Sequence, residues 1–337
     1  MKRHGHLFDR IIAFDNLLQA AQRAQRGKRH RHSVAAFLFH LEPEVFFLQE
    51  ALRSGTYRMQ PYHTFTIYEP KRRQICAAAF RDRVVHHAIC AVLDPLFEAS
   101  LITHTYACRR GKGTLAATKR AQAYARRWSY VLTCDIQHYF ATVDHTVLKT
   151  LLRRNLKDSA LLTLLDHIID HPIPNSPPGT GLPIGNLTSQ YFANLYLGEL
   201  DHLLSDRLGC QGYVRYMDDF LVFADDKRRL WALLERIRLF LSTTLRLTLK
   251  EAAVPVMPVT QGIAFLGLRV FPGALRLQRK SWTRFRRRVR WMETQYLCGM
   301  ISEETLAQSV HSMLGHVQHA DVLPARRAFF AASQSLG

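Results

Sequence analysis

The sequence predicts an α+β fold, in which short strands alternate with longer helices along one chain. Apolar residues recur every three or four positions over several long stretches, which is typical of helices. Between these stretches lie short runs of apolar β-forming residues, which are typical of strands. Hydrophobic residues make up 47% of the 337-residue chain, enough to bury a core, so wholesale disorder is excluded.

The predicted elements follow one another without an internal repeat or a low-complexity linker. Helical periodicity covers 6–52 with a charged break at 26–32, then 81–98, 145–170, 186–208, 227–245 and the chain from 281 onward. Strands are predicted at 62–68 and 74–76 as a hairpin with a basic tip, at 130–135, at 213–223 on both sides of a turn, and at 263–270. The segment 171–183 contains five prolines and is predicted to be a loop.

The charge balance gives the first indication of a partner. The chain has 46 Lys and Arg against 27 Asp and Glu, a formal net charge of +19. Such an excess of positive charge favours a polyanionic binding partner, first nucleic acid and second an anionic membrane surface. The alternative is a basic enzyme whose cationic surface is only solvated. We expect no membrane span, because no apolar run is long enough. Six cysteines without a CxxC pair favour reduced thiols in a cytosol.

Three aspartates are predicted at strand ends, where an uncompensated carboxylate is costly. Asp135 closes an apolar strand, and Asp218 and Asp219 form the apex of a hairpin. Neighbouring carboxylates in apolar surroundings repel each other unless a cation compensates them. Mg²⁺ prefers such oxygen ligands together with substrate phosphates, and two ions can activate a hydroxyl and stabilise a leaving pyrophosphate. An Asp-Asp pair is also common in hairpin turns, so the pair alone leaves both interpretations open.

Six sequence blocks in a fixed order resemble those of reverse transcriptases. The blocks are Pro70-Lys71 with Arg73, Arg81–Val85 continued by Tyr106–Arg109, Asp135–Phe140 with Asp144, Pro183–Gln190 running into Tyr196, Tyr216–Asp219, and Phe265–Gly267. Each block is weak by itself, but their order and spacing hold from about residue 60 to residue 275. The resemblance implies an RNA-directed DNA polymerase.

One block departs from most bacterial relatives. Group II intron and retron enzymes mostly carry Gln where this chain has Ile184, and Pro where it has Gln190. The form found here is similar to reverse transcriptases of diversity-generating retroelements. This resemblance implies a bacterial or phage-encoded cytoplasmic enzyme that copies a template RNA into cDNA. It also implies a small basic accessory protein oligomer as partner. An ordinary intron- or retron-like reverse transcriptase, and a non-catalytic RNA-binding scaffold, are the alternatives. Retention of all three aspartates argues against the scaffold.

The resemblance also implies the domain organisation. It is that of a right-hand polymerase, with a palm built on an antiparallel sheet. The expected parts are an N-terminal helical extension (1–60), fingers (61–130), a palm (131–275) that includes a fingers–palm loop (171–185), and a short helical thumb (276–337).

The implied reaction is attack of a primer 3′-hydroxyl on the α-phosphorus of a dNTP. Asp135, Asp218 and Asp219 would hold two Mg²⁺ ions, with Mn²⁺ as a substitute, and Ile136 would add its backbone carbonyl. Lys250 falls where related polymerases keep a lysine that protonates the leaving pyrophosphate. These roles are implied by the resemblance and are not established by the spacing alone.

Further residues are assigned to nucleotide, template and primer. Lys71 and Arg73 suit the triphosphate, although an exposed basic turn is the alternative. Phe140 occupies the position of a sugar gate that excludes a 2′-hydroxyl, or else is a core aromatic. The remaining implied contacts are Gln190 for the dNTP, Ile184 and Gly185 for the template, and Phe265, Leu266 and Gly267 for the primer. Because Ile184 cannot hydrogen-bond a base, we expect reduced fidelity, unless it only packs the helix start. The resemblance to the diversity-generating subgroup implies that the errors fall opposite template adenine.

The C-terminal segment has an apolar helix face and many arginines. Trp282, Phe285, Val289 and Met292 follow 3,4,3 spacing. Basic residues, among them Arg284, Arg287 and Arg288, fill most other positions. This pattern predicts a thumb helix that packs inward while its arginines follow the phosphates of an RNA–DNA duplex, rather than a merely solvated charged face.

Overall fold

A computed structural model describes residues 3–68, 71–251, 254–317, 320–321 and 323–334. The predicted α+β class is confirmed, and the strand pairing within each sheet is antiparallel. The helices are α1 Phe8–Ile12, α2 Phe14–Ala24, α3 His32–Phe39, α4 Leu41–Arg53, α5 Phe80–Ser100, α6 Thr114–Arg127, α7 Tyr139–Thr142, α8 His145–Asn155, α9 Ser159–Ile169, α10 Leu187–His202, α11 Lys227–Thr244, α12 Arg279–Leu297, α13 Glu303–Val317 and α14 Leu323–Gln334. The strands are β1 His63–Ile67, β2 Arg73–Ala77, β3 Tyr130–Asp135, β4 Gly212–Tyr216, β5 Asp219–Ala224, β6 Val256–Pro258, β7 Ile263–Phe265, β8 Leu268–Val270 and β9 Leu275–Leu277.

The chain forms two compact units. The first contains residues 1–103, 136–208 and 236–250, and the second contains residues 104–135, 209–235 and 251–337. These two units do not correspond to the expected division into N-terminal extension, fingers, palm and thumb. That four-part division stays a proposal.

In the first unit, α5 is the helix against which others pack. The helices α1, α2, α3 and α10 all contact it. The predicted apolar positions Val84, Val85 and Ile89 are buried, so the helical periodicity of this stretch is confirmed. The predicted hairpin is also confirmed, because β1 and β2 pair in antiparallel register with Thr64 opposite Cys76.

In the second unit, a four-stranded sheet has the order β4-β5-β3-β6. Helix α6 packs against β4 and β5, and it also contacts β8 of a three-stranded meander formed by β7, β8 and β9. Val214, Leu221, Ile263 and Val270 are buried in one shared core. These strands end in the polar residues described below, so the apolar packing fixes where those residues lie.

Two predicted elements need correction, and one helix is absent from the prediction. The stretch 145–170 is two helices, because Leu156 is extended and Asp158 caps α9 by accepting a hydrogen bond from the Leu161 backbone N–H at 3.3 Å. The stretch 263–270 is a hairpin instead of one strand, since the chain turns between β7 and β8. Helix α6 was not predicted, because its buried face consists largely of alanines in a strongly polar stretch.

Candidate functional site

The three predicted carboxylates lie at one end of the four-stranded sheet. In the β4–β5 hairpin Tyr216 pairs with Asp219, and a two-residue turn of Met217 and Asp218 joins the strands. Asp135 is the direct cross-strand partner of Asp219. Side chains of such partners lie on the same face, about 5 Å apart at their Cβ atoms. The fold therefore brings together residues that are more than 80 positions apart in sequence, and all three aspartates are half-buried.

The turn between the strands is conformationally unusual. Met217 has φ +56°, a left-handed value that residues with a side chain seldom adopt. Such a conformation persists when surrounding contacts hold it. One of these contacts comes from Arg215, a residue that the sequence pattern does not single out.

Arg215 is fully buried on β4, and its Nη1 donates a hydrogen bond to the Met217 carbonyl at 3.0 Å. Its backbone is also fixed, because its N–H donates to the His104 carbonyl at 3.0 Å and its carbonyl accepts from the Tyr106 N–H at 2.9 Å. The guanidinium group thus supports the acidic turn from inside the sheet. The available sequence signal was a cation two residues before Met217 within an otherwise apolar strand.

The donor set suits a metal that arrives with a nucleotide. In the ranges that the structure describes, no group of three or more His, Cys, Asp or Glu side chains is arranged to hold a metal ion. Mg²⁺ usually takes only one or two carboxylates and completes its shell with water and substrate phosphates. The facing pair of Asp135 and Asp219, with Asp218 in the adjoining turn, provides hard oxygen donors of that kind.

Two further predicted residues lie side by side in the first unit. Ile136 is buried and forms an isolated antiparallel bridge with Leu249, and the Gln137 N–H donates to the Thr248 carbonyl at 2.9 Å. Lys250 directly follows Leu249 and is exposed. The bridge therefore places the lysine next to the partner of Ile136.

The predicted template residues are fixed to the β1–β2 hairpin. The Cys76 N–H donates to the Ile184 carbonyl at 2.9 Å, and the Ala78 N–H donates to the buried Asn186 Oδ1 at 3.1 Å. Gly185 has φ +118°, and a Cβ atom there would lie 2.8 Å from Ile75 Cγ2. Only glycine fits this docking without strain.

The predicted triphosphate residues belong to the same hairpin. Lys71 and Arg73 are exposed at its tip, with Arg73 opening β2. Glu69 and Pro70 lie outside the described residues. The hairpin therefore carries both the cations assigned to the nucleotide and the surface on which Ile184 is docked.

Phe140 lies on α7, which is anchored to α10. The Tyr139 hydroxyl donates to the Ala193 carbonyl at 2.5 Å, and the Leu182 N–H donates to the Phe140 carbonyl at 2.6 Å. Phe140 is half-buried, as is Gln190 in the first turn of α10. Phe140 is therefore positioned by its neighbours and keeps part of its surface accessible, which a fully buried core aromatic would not.

The predicted primer-contact residues form the turn of the β7–β8 hairpin. Leu266 and Gly267 have φ of +48° and +83°, the pair of positive values found in a type I′ turn, whereas Phe265 is buried. The Gly267 carbonyl accepts hydrogen bonds from the Gln278 N–H at 3.2 Å and the Ser281 hydroxyl at 3.1 Å. The turn is thereby connected to the beginning of α12.

The apolar face predicted for α12 is confirmed. Phe285, Val289 and Met292 are buried, and Trp282 is half-buried with its ring stacked 5.3 Å from that of Phe285. Partners of this face on α13 and α14 include Val317 and Phe329. The predicted nucleic-acid contacts Arg284, Arg287 and Arg288 are all exposed.

Comparison with known proteins identifies the family. The model of the family "Reverse transcriptase (RNA-dependent DNA polymerase)" matches residues 68–270, more than half of the chain. The chain belongs to the reverse transcriptase family. The expected enzyme class, an RNA-directed DNA polymerase, is confirmed by this match, which includes the three aspartates, Arg215 and the Ile184 segment.

Individual relatives differ in how much they share with this reverse transcriptase. Protein YkfC of Escherichia coli K12 is 26% identical over 275 residues, covering 68% of this chain and 72% of YkfC. The group II intron-encoded protein LtrA of Lactococcus lactis is 25% identical over 169 residues, which are 48% of this chain and 28% of LtrA. A solved telomerase from Candida albicans, in complex with a fragment of telomeric RNA, aligns with a TM-score of 0.49 and 13% identity over 82% of this chain and 55% of its own.

Among the helices that the structure describes, none combines the length and the apolar character needed to cross a bilayer.

Proposed function

We propose that the chain is the reverse transcriptase of a diversity-generating retroelement, which copies a template RNA into cDNA and misincorporates opposite adenine. The observation that carries the polymerase chemistry is the register that sets Asp135 opposite Asp219 beside the turn containing Asp218. The observation that favours the subtype is Ile184, an apolar residue at the position where most bacterial relatives have Gln.

The reaction joins a primer 3′-oxygen to the α-phosphorus of a dNTP and breaks the bond to pyrophosphate. When bound, two divalent ions, Mg²⁺ or Mn²⁺, supply activation of the hydroxyl and neutralisation of the developing charge. Asp135, Asp218 and Asp219 are the residues that would hold them, together with the Ile136 carbonyl. Lys250 donates a proton to the leaving pyrophosphate.

The remaining residues bind and select the substrates. Lys71 and Arg73 neutralise the triphosphate from the hairpin tip, and Gln190 contacts the same nucleotide. The half-buried Phe140 ring excludes a 2′-hydroxyl. The turn of Phe265, Leu266 and Gly267 supports the primer, and Arg284, Arg287 and Arg288 follow the phosphates of the RNA–DNA duplex.

Low fidelity follows from the side chain of Ile184. The backbone of this residue is held by Cys76 of β2, so its position is fixed. An aliphatic side chain offers no hydrogen bond to orient a base or nucleotide, so discrimination depends on shape alone, which separates similar ligands weakly. The proposal also includes two partners, a small basic accessory protein oligomer and a DNA or cDNA primer. It places the enzyme in the cytoplasm of a bacterium, with the gene encoded by the host or by a phage.

An ordinary intron-like reverse transcriptase is the second candidate. The similarity to LtrA favours it, although the chain spans only 28% of that protein. The two candidates share the polymerase chemistry and differ in fidelity, which makes fidelity the property to measure.

Sequencing of cDNA tests the proposal. The chain is supplied with an RNA template of balanced composition, an annealed primer, four dNTPs and Mg²⁺, and errors are counted for each template base. We expect errors concentrated opposite adenine, and we expect Ile184→Gln to lower them, because an amide can hydrogen-bond where isoleucine cannot. Accurate copying of adenine by the wild type would favour the intron-like candidate, and the absence of any cDNA would contradict both.

A further inference from the structure

The proline-rich loop 171–183 carries none of the predicted site residues, yet its last part is paired with the segment that contains the predicted sugar gate. Residues 179–182, here called the loop end, run antiparallel to residues 140–145, with Thr180 opposite Asp144 in an isolated bridge. One backbone hydrogen bond on each side of this bridge joins the two segments, with N···O distances of 3.0 and 2.8 Å. The loop end therefore behaves as a short strand laid along the gate segment.

A histidine side chain holds the loop end as well. His145 is the buried first residue of α8, and its Nε2 lies 2.8 Å from the Gly181 carbonyl oxygen. Its Nδ1 lies 3.3 Å from Oδ1 of Asp170, whose Oδ2 accepts a hydrogen bond from Lys149 Nζ at 2.5 Å. A neutral ring satisfies the closer acceptor, Gly181, with its one N–H, and a protonated ring donates to both acceptors. In either form the ring ties the loop end to α8.

The pairing reaches Phe140 itself. The Leu182 N–H, at the far side of the loop end, donates to the Phe140 carbonyl at 2.6 Å. Helix α7, which contains Phe140, has only four residues, and so short a helix is not stable by itself. The position of the ring therefore depends on contacts from outside α7, which are the loop end and the Tyr139 hydrogen bond to α10. Precise placement matters, because a displacement of about 1 Å can change a rate by about 100-fold.

We propose that His145 is a positioning residue for sugar selection, which holds the loop end against Phe140 and thereby fixes the ring that excludes a 2′-hydroxyl. The inference rests on the proposed role of Phe140 as the sugar gate. It also gives the loop 171–183 a function, because the chain continues from Leu182 through one proline to Ile184, so the loop end joins the gate to the template-side segment. A histidine that only stabilised the fold would change the free energy of unfolding and leave the preference for dNTP over rNTP unchanged.

Single-turnover incorporation of a dNTP and of the matching rNTP on a primed RNA template tests this role in the full chain. The quantity compared is the sugar discrimination, defined as the ratio of maximal rate to apparent Kd for the dNTP divided by the same ratio for the rNTP. We expect His145→Leu to lower the discrimination about three- to tenfold, the range that corresponds to the net loss of one hydrogen bond. His145→Gln should recover part of it, because an amide N–H can donate to the Gly181 carbonyl.

The matched control is His202→Leu. His202 on α10 has the same kinds of partner, with its Nε2 2.9 Å from the Ser100 carbonyl oxygen and its Nδ1 2.7 Å from Asp206 Oδ2. The substitution thus removes an equivalent pair of contacts that does not include the loop end. We expect it to leave the sugar discrimination at the wild-type value. A loss in His202→Leu as large as that in His145→Leu would overturn the inference.

A double-mutant cycle shows whether His145 acts through Phe140. If it does, His145→Leu should lower the discrimination of the wild type but add little to the loss in Phe140→Ala, because the ring that it positions is already absent. An equal further loss in the Phe140→Ala background would overturn the inference, since His145 would then affect sugar selection by another route.

Asp170→Ala keeps the test decisive if thermal unfolding shows that His145→Leu does not fold. The Asp170 side chain is 52% exposed, so its removal leaves no buried cavity, but it takes away the acceptor that faces Nδ1 of His145. We expect a smaller loss of discrimination in the same direction. Wild-type discrimination in every folded variant of His145 and Asp170 would overturn the inference.

Phe140→Ala separates a failure of this inference from a failure of the proposed function. Unchanged discrimination in folded Phe140→Ala contradicts the sugar gate on which the inference rests. A loss of discrimination in Phe140→Ala together with wild-type discrimination in folded His145→Leu contradicts only the positioning role of His145.

Discussion

Arg215 provides a sharp test of how the acidic turn is held. Arg215→Met keeps an unbranched apolar stem but removes the guanidinium that donates to the Met217 carbonyl at 3.0 Å. A hydrogen bond from a charged donor is worth about 1.5–3 kcal/mol. If that energy keeps the turn in its reactive conformation, its loss raises the barrier by a similar amount. Since about 1.4 kcal/mol is a factor of ten, the incorporation rate should fall about 10- to 150-fold.

The assay is single-turnover incorporation of one dNTP on a primed RNA template. Because Arg215 supports the turn and is not assigned to the nucleotide, we expect the maximal incorporation rate to fall with little change in the apparent Kd for dNTP. Arg215→Lys should recover part of the rate, since it restores a cation without the planar fork of arginine. Thermal unfolding of both variants shows whether they are folded. A rate within about twofold of wild type in folded Arg215→Met would refute the reasoning.

Three further predictions concern sugar selection, backbone geometry and pH. Phe140→Ala should raise rNTP incorporation about tenfold or more in a steady-state competition with dNTP, and unchanged selectivity would exclude the gate role. Gly185→Ala should lower the free energy of unfolding by about 1 kcal/mol or more in urea titrations, because it combines φ +118° with a contact to Ile75; Gly55→Ala, at φ +71° in open space, should cost less. Burial lowers the pKa of His86 to about 3, whereas in the unfolded chain it is about 6.5. The unfolded state therefore binds more protons between these two values. The free energy of unfolding falls as the pH decreases from about 6.5 towards 3, by up to about 1.4 kcal/mol per pH unit. In urea titrations between pH 7 and pH 5, the free energy of unfolding should depend less on pH in His86→Leu than in the wild type. An identical pH dependence in the two proteins would contradict this role of His86.

The sequence predicted those parts of the candidate site that lie in regular elements. The carboxylate hairpin was predictable because apolar β-forming residues on both sides of Asp218 and Asp219 require a turn there. Its pairing with Asp135 follows from sheet register, which the sequence pattern does not specify. Arg215 was missed because the periodic pattern treats a charged residue as exposed, whereas here the guanidinium is buried beneath the turn.

The remaining errors have physical causes of the same type. The strand predicted over 263–270 turns at Leu266 and Gly267, a pair without the Asn-Gly or Asp-Gly signal of a tight hairpin. Asp158 and Ser159 carried a helix-start signal that the continuous apolar periodicity of 145–170 outweighed.

Single-nucleotide primer extension on an RNA template with Mg²⁺ tests the central claim, that the carboxylates at the sheet end carry out nucleotidyl transfer. Wild type is compared with Asp218→Ala and with Asp226→Ala, which removes a carboxylate beyond the opposite end of β5 whose side chain accepts the Arg228 N–H at the start of α11. We expect extension by wild type and Asp226→Ala, and loss of extension in folded Asp218→Ala. Equal extension by folded Asp218→Ala and wild type would contradict the account.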